Sequence, residues 1–197
     1  MRIPTKQECF RLIRRMEMLE HIAHHSIQVS RVALVITDHL IAKNAPLNRD
    51  LVFAAALLHD ITKTRSFKTG ENHAKTGGQL LCALNYPEVG DIIAQHVSLK
   101  NYNDFNGFPH EAEIVNYADK RVLHDKIVSF NRRMEYIMDR YGKLDEHRSK
   151  INRLWEKSIV LEKKIFSNLS FVPDDLIHLL FDFPPIECLE DLSSQPY

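Results

Sequence analysis

The chain has 197 residues, with 26 Lys plus Arg against 26 Asp plus Glu, so it is formally neutral with His uncharged. Neutrality excludes a global electrostatic pull toward nucleic acid or an anionic membrane, and 44% hydrophobic with 26% charged residues excludes a chain dominated by disorder. Six glycines are too few for a turn-rich β-sandwich and favour helices, while 11 histidines enrich the residue that both titrates near neutrality and ligates metals.

Thr5 can cap a first helix, with Glu8 three residues on as in a capping box. Cys9, Leu12, Ile13, Met16 and Leu19 follow at helical spacing. A second helix is expected from about Glu20 to Lys43, ended by Asn44-Ala45-Pro46, since the residue before Pro avoids the α region. Asn48 or Asp50 can cap the next, Leu51 to about Ile61. Its run Leu51 to Leu58 is apolar all round, which marks a buried central helix, and it is too short to span a bilayer. Thr62 to Asn72 is polar and reads as a loop. Helices are expected at His73–Leu84, where Gly77-Gly78 permits close backbone approach, and at Glu88–Leu99. Lys100 to Pro109 is a loop by composition, and its Tyr102, Phe105 and Phe108 could gate a site. Glu111 to Tyr141 is helical with a break near Leu123–Lys126, and a long amphipathic helix covers 143–169. Pro173–Leu180 could be a short helix before an irregular end. The expectation is an all-α fold, with residues 1–142 as one helical domain and 143–197 as a helical extension and tail packed on the same domain.

Cysteines at 9, 82 and 188 form no CxxC and no even disulfide framework, so a reducing, cytoplasmic compartment is expected. The first residues hold no apolar segment of a secretory signal.

Chemistry-bearing residues recur on different helices. His25 lies in the second, His59-Asp60 ends the buried apolar one, His73 opens the helix after the polar loop, His96 sits on 88–99, and Asp119 lies further on. A helical bundle can turn such groups inward to one place. An ionised Asp60 at the inner end of a core helix is costly unless paired or metal-bound. The plain alternative is a helix end that reaches solvent. A second pair, His124-Asp125, sits in a polar run and reads as surface. The basic clusters Arg132-Arg133 and Lys157 with Lys163-Lys164 read as solvated helix faces.

These residues resemble the HD-domain phosphohydrolase superfamily. The likeness is carried by His25-Ser26-x-x-Val29 with Val32-Ala33, by Ala56-Leu57-Leu58-His59-Asp60-Ile61-Thr62-Lys63, and by Tyr117-Ala118-Asp119-Lys120. His73-Ala74-x-x-Gly77 and Ile92-Ile93-x-x-His96 match the subset with two further His ligands. It covers about residues 20–140 and departs at Thr62, where members usually have Gly. The resemblance implies an HD-type helical bundle in which His25, His59, Asp60 and Asp119 hold one divalent metal. His73 and His96 would hold a second, with Asp60 bridging and catalytic. A mononuclear site, with His73 and His96 as acid–base or phosphate contacts, is the alternative. Imidazole with carboxylate suits Fe or Mn, with Ni, Co, Zn or Mg as further options. Lys63 would contact substrate phosphate as a catalytic cation, and Lys120 or Arg121 could bind phosphate as well.

The resulting expectation is a metal-dependent phosphohydrolase cleaving a phosphoester or phosphoanhydride in a nucleotide-like small molecule. Symmetrical dinucleoside tetraphosphates are the first substrate to consider, from likeness to the hydrolases of that class. A di-iron oxygenase is the alternative chemistry, and a non-catalytic nucleotide-binding or interaction module using 143–169 is the third reading. Neither nucleic acid nor membrane is an expected partner, and the oligomeric state is open.

Overall fold

A computed structural model describes residues 1–101 and 107–186. Its first helix, α1 (Lys6–Arg15), starts as its composition predicts. The Thr5 hydroxyl accepts from the Glu8 amide at 3.2 Å, and the Glu8 carboxylate accepts from the Thr5 amide at 2.7 Å. The 22-residue α2 (Glu20–Ile41) follows, and the chain turns at Asn44, in the left-handed region two residues before Pro46. Asn48, rather than Asp50, caps α3 (Arg49–Leu58) through the Leu51 amide. From Leu51 on, every side chain of α3 but half-buried Phe53 is buried, as a run apolar on all faces requires, and α2 lies alongside it.

The polar stretch after Asp60 is not all loop. A short helix, α4 (Lys63–Thr69), forms there and stops at Gly70, φ +70°. Its seven residues bury no side chain, which is why it carries no apolar periodicity to read. Asn72 caps α5 (His73–Ala83), and α6 (Pro87–Ile93) packs on it at close range. A Cβ on Gly78 would stand 2.7 Å from the Gly90 carbonyl oxygen, so these two helices touch backbone to backbone. The helix expected over 88–99 ends at Ile93, and His96 sits in the turns beyond it.

Next comes α7 (Glu111–Lys120), against both α2 and α3. The break expected near Leu123–Lys126 is a two-residue hairpin, β1 (Val122–Leu123) with β2 (Lys126–Ile127), turned at His124 with φ +58°. Then follow α8 (Phe130–Tyr141), capped by Ser129, the long α9 (Asp145–Ser167), a 3-10 turn at Pro173–Asp175, and α10 (Leu176–Asp182). The fold is all-α apart from that hairpin.

One apolar cluster joins α1, α2, α3, α6 and α7 to Leu161 and Ile165 near the end of α9, to Leu169 just past it, and to Leu176 and Leu180 of α10. The first half of α9 makes a small separate cluster with α8, Phe130 and Met134 against Ile151 and half-buried Trp155. Lys164, expected in a solvated face, is instead buried, and its ammonium bonds both oxygens of Glu113 at 2.9 and 2.8 Å. Tyr117 donates to Glu162 at 2.6 Å, a second polar tie between α7 and α9. Among the described residues no helix is long and apolar enough to cross a membrane. Of the candidate gate, Tyr102 and Phe105 lie outside the described residues, while Phe108 is half-buried against the main cluster. The irregular end, from 187 on, also lies outside them.

Candidate metal centre

Three helices point their C-terminal ends at one place: α3 toward His59-Asp60, α6 toward His96, and α7 toward Asp119. Helix C-termini carry unpaired carbonyls and partial negative charge, which favours a cation. His73, at the start of α5, and His25, in α2, complete the ring of groups. All six residues expected as metal ligands therefore converge.

Their spacing divides them around Asp60. His25, His59 and Asp60 form one group and Asp60, His73 and His96 another, each with donor atoms within 4.8 Å of one another. Asp60 Oδ2 lies 3.5 Å from His59 Nε2, and Oδ1 lies 3.2 Å from His73 Nε2 and 3.5 Å from His96 Nε2. One carboxylate thus presents a different oxygen to each side. Asp119 Oδ1 joins the first group, 3.0 Å from His25 Nε2 and 3.6 Å from His59 Nε2.

Backbone carbonyls fix which nitrogen each ring offers. A carbonyl can only accept, so a ring nitrogen bonded to one must carry the proton. His59 Nδ1 donates to Ala56 at 2.7 Å, His96 Nδ1 to Ile93 at 2.8 Å, and His25 Nδ1 to His124 at 2.8 Å. Each bond leaves the neutral ring's lone pair on Nε2, directed inward, the arrangement by which proteins hold metal-binding histidines. Two of these bonds also satisfy helix-end carbonyls, that of Ala56 in the last turn of α3 and that of Ile93 at the end of α6. His73 Nε2 and His96 Nε2 face each other at 3.2 Å.

A metal fits these residues. His59 Nε2 and Asp60 Oδ1 are buried and have no hydrogen-bond partner among the described residues, yet both point into the cluster. Such orphans are costly, and a cation is what both atoms can bind. The titration of the cluster agrees. Burial opposes ionisation of Asp60, but the imidazoles of His59, His73 and His96 outweigh it and hold the carboxyl well below its ordinary range. Asp119 is likewise held well below it, against burial, by His25, His59 and Arg133. His59 is raised, because Asp60 and Asp119 overcome the effect of burial, whereas burial wins at His96 and lowers it.

Lys63, first residue of α4, donates to Asp60 Oδ2 at 2.9 Å. Burial opposes its charge, but Asp60 and Asp119 raise its pKa, so it is a cation at neutral pH. Lys120 and Arg121 are placed otherwise than a phosphate contact requires. Lys120 is buried, with Nζ bonded to Asn116 Oδ1 at 2.6 Å, to the Asn116 carbonyl, and more weakly to the His96 carbonyl. Asn116 also donates to the Gln95 and His96 carbonyls, so this pair holds the His96 turn against α7. Burial lowers Lys120 to about 8, with Asp119 opposing. Arg121 is 1% exposed and donates to the carbonyls of Val128 and Pro173 and to the Tyr117 hydroxyl. It ties the hairpin and the C-terminal segment to α7.

Two contributors were not legible in the sequence. The carbonyl that orients His25 belongs to His124, whose dipeptide reads as surface. Arg133, taken for a solvated face, turns inward to 3.9 Å from Asp119 Oδ1. His21 is exposed and stands outside the centre.

A family model, the HD domain, matches residues 22–122. The chain belongs to the HD-domain family. The matched span holds all six residues of the cluster and Lys63, and it ends before Arg133 and α9. The tRNA (cytidine(56)-2'-O)-methyltransferase of Picrophilus torridus is 26% identical over 157 residues, which is 74% of this chain. The chain spans 43% of the length of that curated relative. A crystal structure of a predicted HD superfamily hydrolase from an uncultured Thermotogales bacterium overlays with a TM-score of 0.49 at 19% identity, covering 84% of this HD domain chain and 94% of the other.

Proposed function

We propose that this HD-domain protein is a metal-dependent phosphohydrolase acting on a phosphoester or phosphoanhydride of a nucleotide-like small molecule. The observation that carries the reading is Asp60, whose two oxygens face two separate histidine groups while Lys63 stands on one of them. In this reading His25, His59, Asp60 and Asp119 hold one divalent ion, and Asp60, His73 and His96 hold a second, with Fe or Mn favoured by the donor set. Such ions would polarise a phosphoryl oxygen and activate water at neutral pH.

The chain's own groups supply the rest. Asp60 stays ionised and can accept a hydrogen bond from the attacking water, keeping its lone pair toward phosphorus. Lys63 brings an ammonium to the phosphoryl oxygens as negative charge builds on them. Burial of His59 and His96 keeps bulk water from their Nε2 atoms, and the three carbonyl bonds hold the rings in place. The methyl-transfer activity in the Picrophilus relative's name is not carried over, since the chain spans less than half of that protein.

The test is metal content per chain by mass spectrometry on protein purified without added metal. About two ions are expected, falling to about one in His73→Ala and in His96→Ala. Turnover of nucleotides, dinucleoside polyphosphates, cyclic nucleotides or simple phosphoesters by the loaded protein is then expected. Metal bound without turnover of any of these overturns the phosphohydrolase reading, and substrate-dependent oxygen consumption would replace it with oxygenase chemistry.

A further inference from the structure

Arg133 has no assigned purpose in the fold. It lies in the first turns of α8, beyond the matched HD-domain span. Its side chain is 14% exposed, and its Nε is buried without a hydrogen-bond partner among the described residues. Arginines this buried normally place their donors on carboxylates or carbonyls, as Arg121 does here. The nearest carboxylate oxygen, Asp119 Oδ1, is 3.9 Å away, too far for a hydrogen bond, and it sits closer, at 3.0 Å, to His25 Nε2. Asp119 therefore attracts Arg133 without satisfying it.

The guanidinium is nonetheless held in place. It lies 5.8 Å from the ring of Tyr136, one turn further along α8. The Tyr136 ring packs edge-on against His124 at 5.7 Å, and the His124 carbonyl orients His25. A single chain of contacts thus fixes Arg133 relative to a residue of the metal centre. On the Asp60 side of the centre stands Lys63, 2.9 Å from Oδ2, and on the Asp119 side stands Arg133. His59 Nε2 lies between the two carboxylates, 3.5 Å from one and 3.6 Å from the other.

We propose that Arg133 is a substrate-binding residue, the second cation of a clamp that with Lys63 grips a phosphate group carrying two or more negative charges. The inference rests on the phosphohydrolase reading above. The charge count supports it. Asp60 and Asp119 are cancelled by Lys63 and Arg133, and a histidine must be neutral to ligate a metal, so every divalent ion bound would leave two positive charges to be met. A phosphomonoester or a polyphosphate chain meets them, and a singly charged diester meets them poorly. The planar fork of arginine is also the side chain best matched to paired phosphate oxygens.

The test uses the full chain loaded with Mn(II), with orthophosphate as the probe, titrated by calorimetry at pH 8. Arg133→Gln is expected to keep the wild-type metal content and to bind orthophosphate about 10- to 100-fold more weakly, the loss of charge-assisted hydrogen bonds. Arg133→Lys keeps the charge without the fork and should fall between the two. It also secures the test if the Gln variant folds poorly. With a phosphomonoester substrate, KM should rise more than kcat falls. Dimethyl phosphate, a monoanion, should bind the wild type less tightly than orthophosphate, and equal binding of the two overturns the dianion assignment. Unchanged orthophosphate affinity in both variants overturns the clamp and leaves the phosphohydrolase reading standing. So does a fall in metal content with unchanged phosphate affinity per loaded chain, which would make Arg133 only a partner of Asp119. A loaded wild type that binds no orthophosphate and turns over no phosphate compound overturns that reading and the clamp with it.

Discussion

Lys164→Met tests whether the C-terminal helix is part of the folding unit that builds the metal centre. Lys164 and Glu113 join α9 to α7, with side chains 2% and 11% exposed and contacts of 2.9 and 2.8 Å. Removing the ammonium leaves the Glu113 carboxylate buried with one donor, the His110 amide at 2.8 Å. Breaking a buried pair in this way costs about 3–5 kcal/mol, and the slight exposure of Glu113 places the expectation at ~3 kcal/mol. For a chain of this length that corresponds to a fall of about 6–12 °C in Tm. The double variant Lys164→Met with Glu113→Gln removes both charges and keeps an oxygen to cap α7. It should recover most of the loss, since replacing both members of a buried pair is often close to neutral. Urea unfolding followed by circular dichroism, with Tm by calorimetry, reads both quantities. A single-variant loss under about 0.5 kcal/mol, the range of ordinary surface substitutions, would refute the argument. So would a double variant no more stable than the single one, since the coupling between the two sites would then be absent.

Other outcomes follow from the helix contacts and the titration of the centre. Gly78→Ala drives a Cβ to 2.7 Å from the Gly90 carbonyl oxygen and 3.0 Å from the Ala94 Cβ, so α5 and α6 must separate. Overpacking of this kind costs about 1–3 kcal/mol. Because α5 starts at His73 and α6 leads into His96, metal per chain should fall toward one, and an unchanged metal content with unchanged Tm would contradict the close packing. Metal should also stabilise: at a free concentration of 100 Kd the gain is about 2.7 kcal/mol, or about 8 °C in Tm. Protons compete with metal for His59, whose pKa is raised by Asp60 and Asp119 against burial. Its protonation stabilises the metal-free fold below the ordinary His value near 6.5, and that contribution is lost as pH rises through the raised value. Metal-free stability should therefore decline on that rise, while the Tm increase on adding Mn(II) should be larger at pH 8 than at pH 6. Equal increases at both pH values would remove His59 from the ligand set. At the acid end, Asp60 and Asp119 are held low, so their stabilisation is present above about pH 3.9 and lost as pH falls below it.

The helices that could be read from sequence are those with an apolar face to bury. The stripe of α1, the all-round apolarity of α3 and the double glycine of α5 each name their packing partner type, and the structure shows them so used. The misses fall where burial is absent or the signal is tertiary. The helix α4 buries nothing, so its sequence looks like a loop. The helix expected through Leu99 stops at Ile93, because the His96 turn is held by Asn116 and Lys120 from another helix, and no local pattern announces them.

The same division separates the metal centre from its surroundings. His59-Asp60 is legible because eight apolar residues carry it into the core, and an ionised carboxylate there needs a cation or a dense set of donors. Neutral sequence surroundings give no such leverage over Arg133, Lys164 or Lys120. Each is a basic residue on an amphipathic helix, where the default is a solvated charge. Which of Arg132 and Arg133, or of Lys163 and Lys164, turns inward is decided by what stands opposite: Asp119 for Arg133 and Glu113 for Lys164. Adjacent residues on a helix are about 100° apart, so one of each pair must face away once the other is drawn in. A buried acid can thus be found from its own flanks, while a buried base on these helices can be found only from its partner's. That asymmetry is why Asp60 could be singled out from its own flanks, while the other candidate ligands rested on the family resemblance and the cation proposed to complete the site had no signal at all.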